Sequence, residues 1–495
     1  MKKTILLSLL ALLALAGCGS SKSGSVKTVS EKAVADREVI LLAVNDMHAA
    51  IDNFPRFAFM VDSLRALYPD MLLVTAGDNQ TGNPINDQFQ EKGWPMIELM
   101  NTVGFDLSAV GNHEFDVGVN NLEKHTRDAR FDFLCANLTP PEGMQLDIRP
   151  YKVITLPNGI RVVFTSVLHL NNGGIPDTHP DNVKGFSFHP PLETAKTLVH
   201  LCDSGDLFVM LNHFGFEGDV EVAKAMPPGT VHLIIGGHSH TKVEKEQIHN
   251  GIMITQAENK LKYATLIRLT VRPDGQVARS MQLLPVGKVG SERADIRAMV
   301  DEYNNNPMLR EKIAEATEAF TSYEQVGYLM VDGVRGATGA DIALTNPGGV
   351  RIDHLPKGDV SVLDVYSMDP FGNDVVLFKL TGNEIRALML SAFELDEHQP
   401  IYPSGMHTRY LLADDGTLKD VLLLTTAGDK LDMDRVYTVA MNSYMASVYR
   451  YEHQDPGTSL FRPSAESIIG YLRELQKIPS YQEEKRVFVN NVQLN

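Results

Sequence analysis

The stretch DLSAVGNHEFD (residues 106–116) decides how this chain is read. A short apolar run, DLSAV, is followed at once by Gly111 and then by Asn112, His113, Glu114 and Asp116. Apolar runs of this length, bounded by a turn residue, read as buried strands. The polar group therefore stands just past a strand's C-terminal end, where open α/β sheets bind their ligands.

The arrangement recurs along the chain. VILLAV (39–44) runs into NDMH, which places Asp46 and His48 on alternate positions, and MLLVTA (71–76) runs into GDNQTG with Asp78. LFVMLN (207–212) is followed by His213, and VHLIIG (231–236) by GHSH with His238 and His240. Carboxylate and imidazole are ligands for divalent transition metals, and the lack of thiolates disfavours a structural zinc site. Asp78 has two oxygens and can bridge two ions. Two metals about 3.5–4 Å apart form a clamp for phosphoryl chemistry, activating water and offsetting charge on the phosphate. Asn112 can ligate through its amide oxygen, with His113 turned towards substrate. Asp116, three positions on, can hydrogen-bond that imidazole and favour its protonated form. Glu114 reads as a local structural hydrogen-bonder.

Working outward, FLCANL (133–138), RVVFTSVL (161–168), GIMITQ (251–256) and ATLIRLTV (264–271) read as further strands. Segments such as FPRFAFMVDSLRALYP (54–69) carry apolar residues at helical spacing. The mixture predicts an α/β layered domain from about Val39 to Val271. The charged stretch 290–319 fits a connecting helix, and a second α/β domain with strands VVLFKL (375–380) and VLLLTT (421–426) follows. A chain of 495 residues is too long for one compact core, which agrees with two domains.

Acidic residues outnumber basic ones by 62 to 45, for a net charge of −17, which argues against binding a nucleic-acid polymer. Small phosphorylated substrates need only a few local cations. The N-terminus, MKKTILLSLLALLALAGC, has a positive start, an apolar core too short for the roughly 20 residues of a membrane span, and small residues before Cys18. It resembles a lipoprotein signal ending in a lipobox, which implies lipid attachment at Cys18, a polar tether over 19–37, and an exported, membrane-anchored protein on the periplasmic or cell-surface side. Cys135 and Cys202 then remain, in or beside apolar runs. They read as buried thiols and not as a disulfide framework.

Taken together, DMH, GDNQTG, GNHEFD, NHFG and GGHSH, in this order, resemble the motifs of the calcineurin-like metallophosphoesterases, and more narrowly the secreted 5′-nucleotidase and UDP-sugar hydrolase family. The resemblance implies a four-layer αββα metallophosphoesterase domain (38–290), a connector (291–320) and a second α/β nucleotide-binding domain (321–495). It implies Asp46, His48 and His240 on one metal, and Asn112, His213 and His238 on the other, with Asp78 bridging. His113 and Asp116 match the family's catalytic dyad. The ligand set accepts Zn, Mn, Fe or Co. His125, His169, His200, His232 and His249 match no motif position and read as surface or supporting histidines.

In the second domain, ATGADIALTNPGGVR (337–351) resembles the family's glycine-rich segment ending in arginine. Arg351 then contacts phosphate or ribose, Asn346 makes a polar contact, and Gly348 and Gly349 allow close backbone approach. MDPFGN (368–373) resembles a second family segment, implying that Phe371 stacks on a base and Asn373 bonds its edge. Two features depart from the pattern. ATEAFTSYEQVG (316–327) holds no arginine where relatives bind phosphate, and no late Gly-Gly-Asp-Gly-Phe-like segment follows TVAMNSYM, which leaves Tyr449 or Tyr451 as its aromatic substitute. The expected function is a dinuclear-metal phosphohydrolase acting on nucleotides. The alternatives are a relative acting on UDP-sugars, cyclic nucleotides or a sulfur ester, and, in another class, a non-catalytic nucleotide-binding lipoprotein.

Overall fold

The computed structural model describes residues 35–491, apart from 172, 204, 397 and 398. The expected signal segment, Cys18 and most of the tether lie outside the described residues. Among the described residues, no helix is long and apolar enough to cross a membrane.

The first half is built on two facing sheets. One has seven strands, in the spatial order Val277–Pro285, Tyr263–Val271, Arg37–Val44, Leu72–Thr75, Leu107–Ala109, Asp132–Leu134 and Ile148–Arg149. The other has six, in the order Gln247–His249, Ile252–Thr255, Leu233–Ile235, Leu207–Leu211, Arg161–Thr165 and Tyr151–Thr155. Strand Arg37–Val44 shows why the chain layers this way. Val39, Leu41 and Ala43 enter the core between the sheets, while Ile40, Leu42 and Val44 pack beneath the outer helices Phe54–Leu67 and Trp94–Val103. Buried on both faces from Val39 onward, the strand is apolar over those six residues instead of alternating. Helices Pro191–Thr197 and Phe216–Ala225 cover the second sheet's outer face, completing four layers in the order αββα.

The central strands run parallel, so their C-terminal ends share one rim. That rim carries every metal-ligand candidate.

After helix Ala294–Tyr303 the chain forms strand Lys312–Ala316, inside the stretch expected to connect the domains. It pairs with Gly358–Ser361 and Lys477–Ile478 of the second half. A five-stranded sheet follows, ordered Tyr402–Ser404, Ile342–Thr345, Val436–Asn442, Asp374–Thr381 and Thr458–Pro463, with helices Tyr323–Thr338, Gly382–Leu395 and Ser464–Leu475. This half is anchored by a charge pair. Arg486 donates to both carboxylate oxygens of Asp332 at 2.7 and 2.8 Å, and Ser404 and Tyr481 add hydroxyl donors. Cys135 is buried and Cys202 half-buried, both free thiols.

Candidate active site

The rim of the first domain is held together by backbone hydrogen bonds between its loops. The N–H groups of Asp46, His48 and Ala49 donate to the carbonyls of Gly77, Asp78 and Asn79 at 2.9, 3.0 and 2.8 Å. Asp46, His48, Asp78, His238 and His240 all have positive φ, between 45° and 75°. Left-handed backbone costs a non-glycine residue of order 1 kcal/mol, so its recurrence at five of the seven expected ligands is strain held in place for a purpose.

Asp78 stands at the centre. Its Oδ1 accepts the backbone N–H of His113 at 2.9 Å, which leaves Oδ2 facing His213 Nε2 at 3.2 Å and His48 Nε2 at 4.0 Å. Gly111 makes this possible, because a Cβ there would stand 2.2 Å from Asp78 Oδ1. Glu114 supports the same turn. Its buried carboxylate accepts the N–H groups of Asp78, Asn79 and Gly111 at 2.9, 2.7 and 2.6 Å, and the Asn79 side chain at 3.1 Å. Burial, followed by the charge of Asp78, pushes the Glu114 carboxyl up to about 7.

Two ligand groups result. The donor atoms of Asp46, His48 and His240 lie within 4.8 Å of one another, and so do those of Asp78, His213 and His238. Asn112 joins the second group. Its Nδ2 donates to the Asp177 carbonyl at 3.0 Å, turning Oδ1 towards His213 Nε2 and His238 Nδ1 at 3.2 and 3.1 Å.

The tautomers show that these donors fit cations. His48 Nδ1 meets the Thr81 carbonyl at 3.0 Å, an acceptor only, so the neutral ring carries its proton there and leaves Nε2 bare. His240 Nδ1 lies 3.0 Å from the Asn259 amide, whose Oδ1 has no other partner. Turning that amide by 180° lets the ring N–H donate to it, and His240 Nε2 is then bare too. With the amide as placed, His240 Nε2–H donates to His48 Nε2 at 2.9 Å; with it turned, both lone pairs face one another and suit a cation held beside them. Burial, then the positive charge of Arg351, holds His48 well below its usual value, consistent with the neutral ring. At His213, whose Nδ1 is 2.7 Å from the Ala76 carbonyl, burial is outweighed by Asp78 and the ring is pushed up to about 10. A proton there does weakly what a divalent cation would do more strongly.

His113 borders these groups: its Nε2 lies 3.9 Å from Asp78 Oδ2 and clusters with the His48 and Asp78 donors, while its Nδ1 faces the other way. Its Nδ1 is 2.6 Å from Asp116 Oδ2, and Thr178 donates to Asp116 Oδ1 at 2.7 Å. Burial pulls the imidazole down, but Asp78 and Asp116 overcome it and hold the ring above its ordinary value.

The second domain closes over this rim to form a cavity of about 560 Å³. Asp78, Asn112, His113, Asp116, His238 and His240 line it, while Asp46, His48 and His213 lie buried beneath. All six residues expected from the second domain line it as well: Asn346, Gly348, Gly349, Arg351, Phe371 and Asn373. Asn346 Oδ1 accepts from the Asn442 amide at 3.0 Å, and a Cβ at Gly349 would come within 2.7 Å of that oxygen. Burial lowers the Arg351 guanidinium while the carboxylates of Asp78, Asp116 and Asp46 pull the other way.

Sequence reasoning missed part of the wall. His169, expected to be incidental, lines the cavity and stacks on His238 with ring centroids 4.5 Å apart. Asp177 and Thr178 belong to the same loop, which follows the strand end RVVFTSVL as the other ligand loops follow theirs. Neither Tyr449 nor Tyr451, the aromatics expected here, is among the lining residues, whereas Tyr444 is. Tyr449 is buried with its hydroxyl on Asp396, and Tyr451 stacks on His453 at 4.5 Å.

Family models agree with this arrangement. Residues 40–242 match the calcineurin-like phosphoesterase and residues 304–449 the 5′-nucleotidase C-terminal domain. The chain is 26% identical over 436 residues to Protein UshA of Escherichia coli, covering 76% of this chain and 77% of that protein. It is 25% identical over 502 residues to a 5′-nucleotidase of Vibrio cholerae, covering 86% and 88%. The crystal structure of a 5′-nucleotidase precursor from Thermus thermophilus superposes with a TM-score of 0.81 at 25% identity, covering 92% of this chain and 99% of that one. With both domain models matched in order and the metal-ligand rim in place, the chain belongs to the calcineurin-like phosphoesterases that carry a 5′-nucleotidase C-terminal domain, a family of phosphoric ester hydrolases.

Proposed function

We propose that this protein is a dinuclear-metal phosphohydrolase that removes the phosphate of nucleotides, nucleoside monophosphates foremost. The observation that carries the reading is the convergence in one cavity of the two ligand groups around Asp78, the His113–Asp116 pair at 2.6 Å and Arg351 from the other domain. Asp46, His48 and His240 would hold one divalent cation, Asn112, His213 and His238 the other, and Asp78 would serve both; Zn, Mn, Fe or Co suits the set. Bound there, the pair supplies Lewis acidity towards phosphate and lowers the pKa of water. The chain's own groups do the rest. Asp116 fixes the proton on His113 Nδ1 and stabilises the charged ring. His113 Nε2 then offers its proton to the phosphate or the departing oxygen. Arg351 faces the phosphate with a planar fork of donors. Asn346, Gly348, Gly349 and Asn373 receive the rest of the nucleotide.

Charge along the wall narrows the substrate. Arg351 is the one lysine or arginine among the described lining residues, whereas Asp177, beside His238, and Glu394 and Asp396 add carboxylates to the same wall. One arginine against several carboxylates in the wall favours a single phosphate with hydroxyl or amine donors over a diphosphate. The test is phosphate release from AMP, UMP, UDP-glucose, 2′,3′-cyclic AMP and an aryl phosphate in Mn²⁺- or Co²⁺-supplemented buffer, with His113→Ala as control. Preference for the monophosphates, lost in the variant, is expected. No release from any ester would refute the reading.

Export and lipid attachment at Cys18 are part of the proposal, supported by the signal-like N-terminus. Labelling with a radioactive fatty acid, abolished by Cys18→Ser, is the expected result.

A further inference from the structure

The two ligand groups are braced by different parts of the chain. In the first, the Thr81 carbonyl serves His48, Asn259 serves His240, and Asp46 takes the Asn45 amide at 2.6 Å and the His238 N–H at 3.0 Å. In the second, all three ligands meet the stretch that leaves strand Arg161–Thr165. His169 N–H donates to the His213 carbonyl at 2.7 Å. The Asp177 carbonyl takes the Asn112 amide at 3.0 Å. The Asp177 carboxylate faces His238, with Oδ2 3.9 Å from Nε2, and Thr178, next in sequence, donates to Asp116. None of His169, Asp177 and Thr178 lies in a motif that marks the site in the sequence.

His238 presents one nitrogen to each side. Nδ1 lies 3.1 Å from Asn112 Oδ1, on which His213 Nε2 also converges at 3.2 Å, so this nitrogen is the one that faces a cation. A ring that gives Nδ1 to a metal carries its proton on Nε2, the nitrogen on the Asp177 side. Metal-ligating imidazoles usually donate that second N–H to a carboxylate or carbonyl, which fixes the tautomer and makes the ring a better ligand. At 3.9 Å the pair attracts electrostatically without yet being a hydrogen bond. A cation on Nδ1 makes the N–H more acidic and strengthens the pull. His169 holds the same ring from its face, with centroids 4.5 Å apart and planes 26° from parallel, and its Nδ1 stands 3.6 Å from the same carboxylate oxygen. The donors of His169, Asp177 and His238 also lie close enough together for a cation of their own. The stack argues against that use: imidazole binds a metal in its ring plane, and two rings lying face to face cannot both aim at one ion.

Resting on the phosphohydrolase reading above, we propose that Asp177 is a positioning residue of the second cation site alone, its carbonyl orienting Asn112 and its carboxylate setting the tautomer and aim of His238. The first site, whose supports lie elsewhere, does not depend on it. Asp177 thereby governs how tightly one of the two cations is held, independently of the other.

Calorimetric titration of the metal-stripped full chain with Co²⁺ tests this without any turnover. His240→Ala removes a ligand of the first site and so reports the second, and His238→Ala does the reverse. In the His240→Ala background, Asp177→Ala is expected to weaken Co²⁺ binding about 10–100-fold, the usual cost of removing such a partner. Asp177→Asn, whose amide oxygen still accepts from His238, is expected to recover affinity to within about fivefold. In the His238→Ala background, Asp177→Ala is expected to change affinity by less than about twofold, as for uncoupled positions. Should Asp177→Ala lower the unfolding midpoint of the metal-stripped protein, Asp177→Leu, closer in bulk, repeats the comparison. Equal weakening in both backgrounds, or none in either, overturns the proposal. So does a third equivalent of Co²⁺ in the wild type that His169→Phe removes, since the trio is then a cation site in itself. A wild-type protein that takes up two Co²⁺ and hydrolyses no ester refutes the phosphohydrolase reading, while the titrations still decide the role of Asp177. One that takes up no Co²⁺ overturns that role as well.

Discussion

Asp116→Asn probes how far the carboxylate, as distinct from its hydrogen bond, sustains His113. The change preserves shape: the amide oxygen can still accept from His113 Nδ1, and its NH₂ then faces the Thr178 hydroxyl, which can turn to accept. What is lost is one negative charge, 2.6 Å from the ring nitrogen at closest approach and largely shielded from solvent, with side-chain exposures of 11% and 12%. An imidazolium spreads its charge over the ring, so about 4 Å separates the charge centres. At an effective dielectric constant of about 20 the pair is worth about 4 kcal/mol. The neutral hydrogen bond that remains returns about 1 kcal/mol of that. The net loss of about 3 kcal/mol corresponds to about a 100-fold drop in kcat, with KM nearly unchanged. Thr178→Val leaves the Asp116 charge in place, removing the hydroxyl bond to it and the one accepted from Asn182, and should cost about fivefold. Phosphate release from AMP at saturating metal measures both. An Asp116→Asn enzyme keeping kcat within threefold of wild type would show that the carboxylate only packs against His113.

Three further outcomes are expected. Gly111→Ala should abolish metal binding measured by calorimetry, because the new methyl group would meet Asp78 Oδ1 at 2.2 Å and the turn must give way. Chelation should lower the midpoint of thermal unfolding, and metal at 100 times its Kd should restore about 2.7 kcal/mol of stability per independent site; a midpoint indifferent to metal would argue against the two ligand groups. Asp369, buried beside the Phe371 loop, is pushed up to about 6 by burial. Its folded-state pKa exceeds the unfolded one, so its contribution is present below about pH 4 and lost as pH rises through 6. About two pKa units correspond to about 3 kcal/mol. Asp369→Asn should therefore raise the urea midpoint at pH 8 and leave it little changed at pH 4, and an equal shift at both values would exclude this account.

The candidate metal ligands were legible in the sequence because two local signals coincide at each. An apolar run short enough for a strand ends, and a residue of metal-binding chemistry stands within a few positions of its end. Both signals are local, so Asp46, His48, Asp78, Asn112, His213, His238 and His240 could be read without the fold. The nine strands read in the first domain are present, with ends shifted by a few residues. Their division into two sheets was not legible, since strands buried on both faces carry no alternation to say which neighbour they face. Lys312–Ala316 was hidden for another reason: KIAEA is short, and its charged surroundings suit a helix.

What the sequence by itself determined is therefore the chemistry of the rim and the order in which the chain delivers it. The tertiary structure decided which atoms meet. It gave Asp78 Oδ1 to a backbone N–H and Oδ2 to the ligand groups, and brought His169 and Asp177 beside His238. It also set Phe371 on His113, a contact between domains and across 258 positions of chain. Such contacts depend on how whole elements pack, and packing is fixed by the shape of a core drawn from the entire chain, which no short stretch contains.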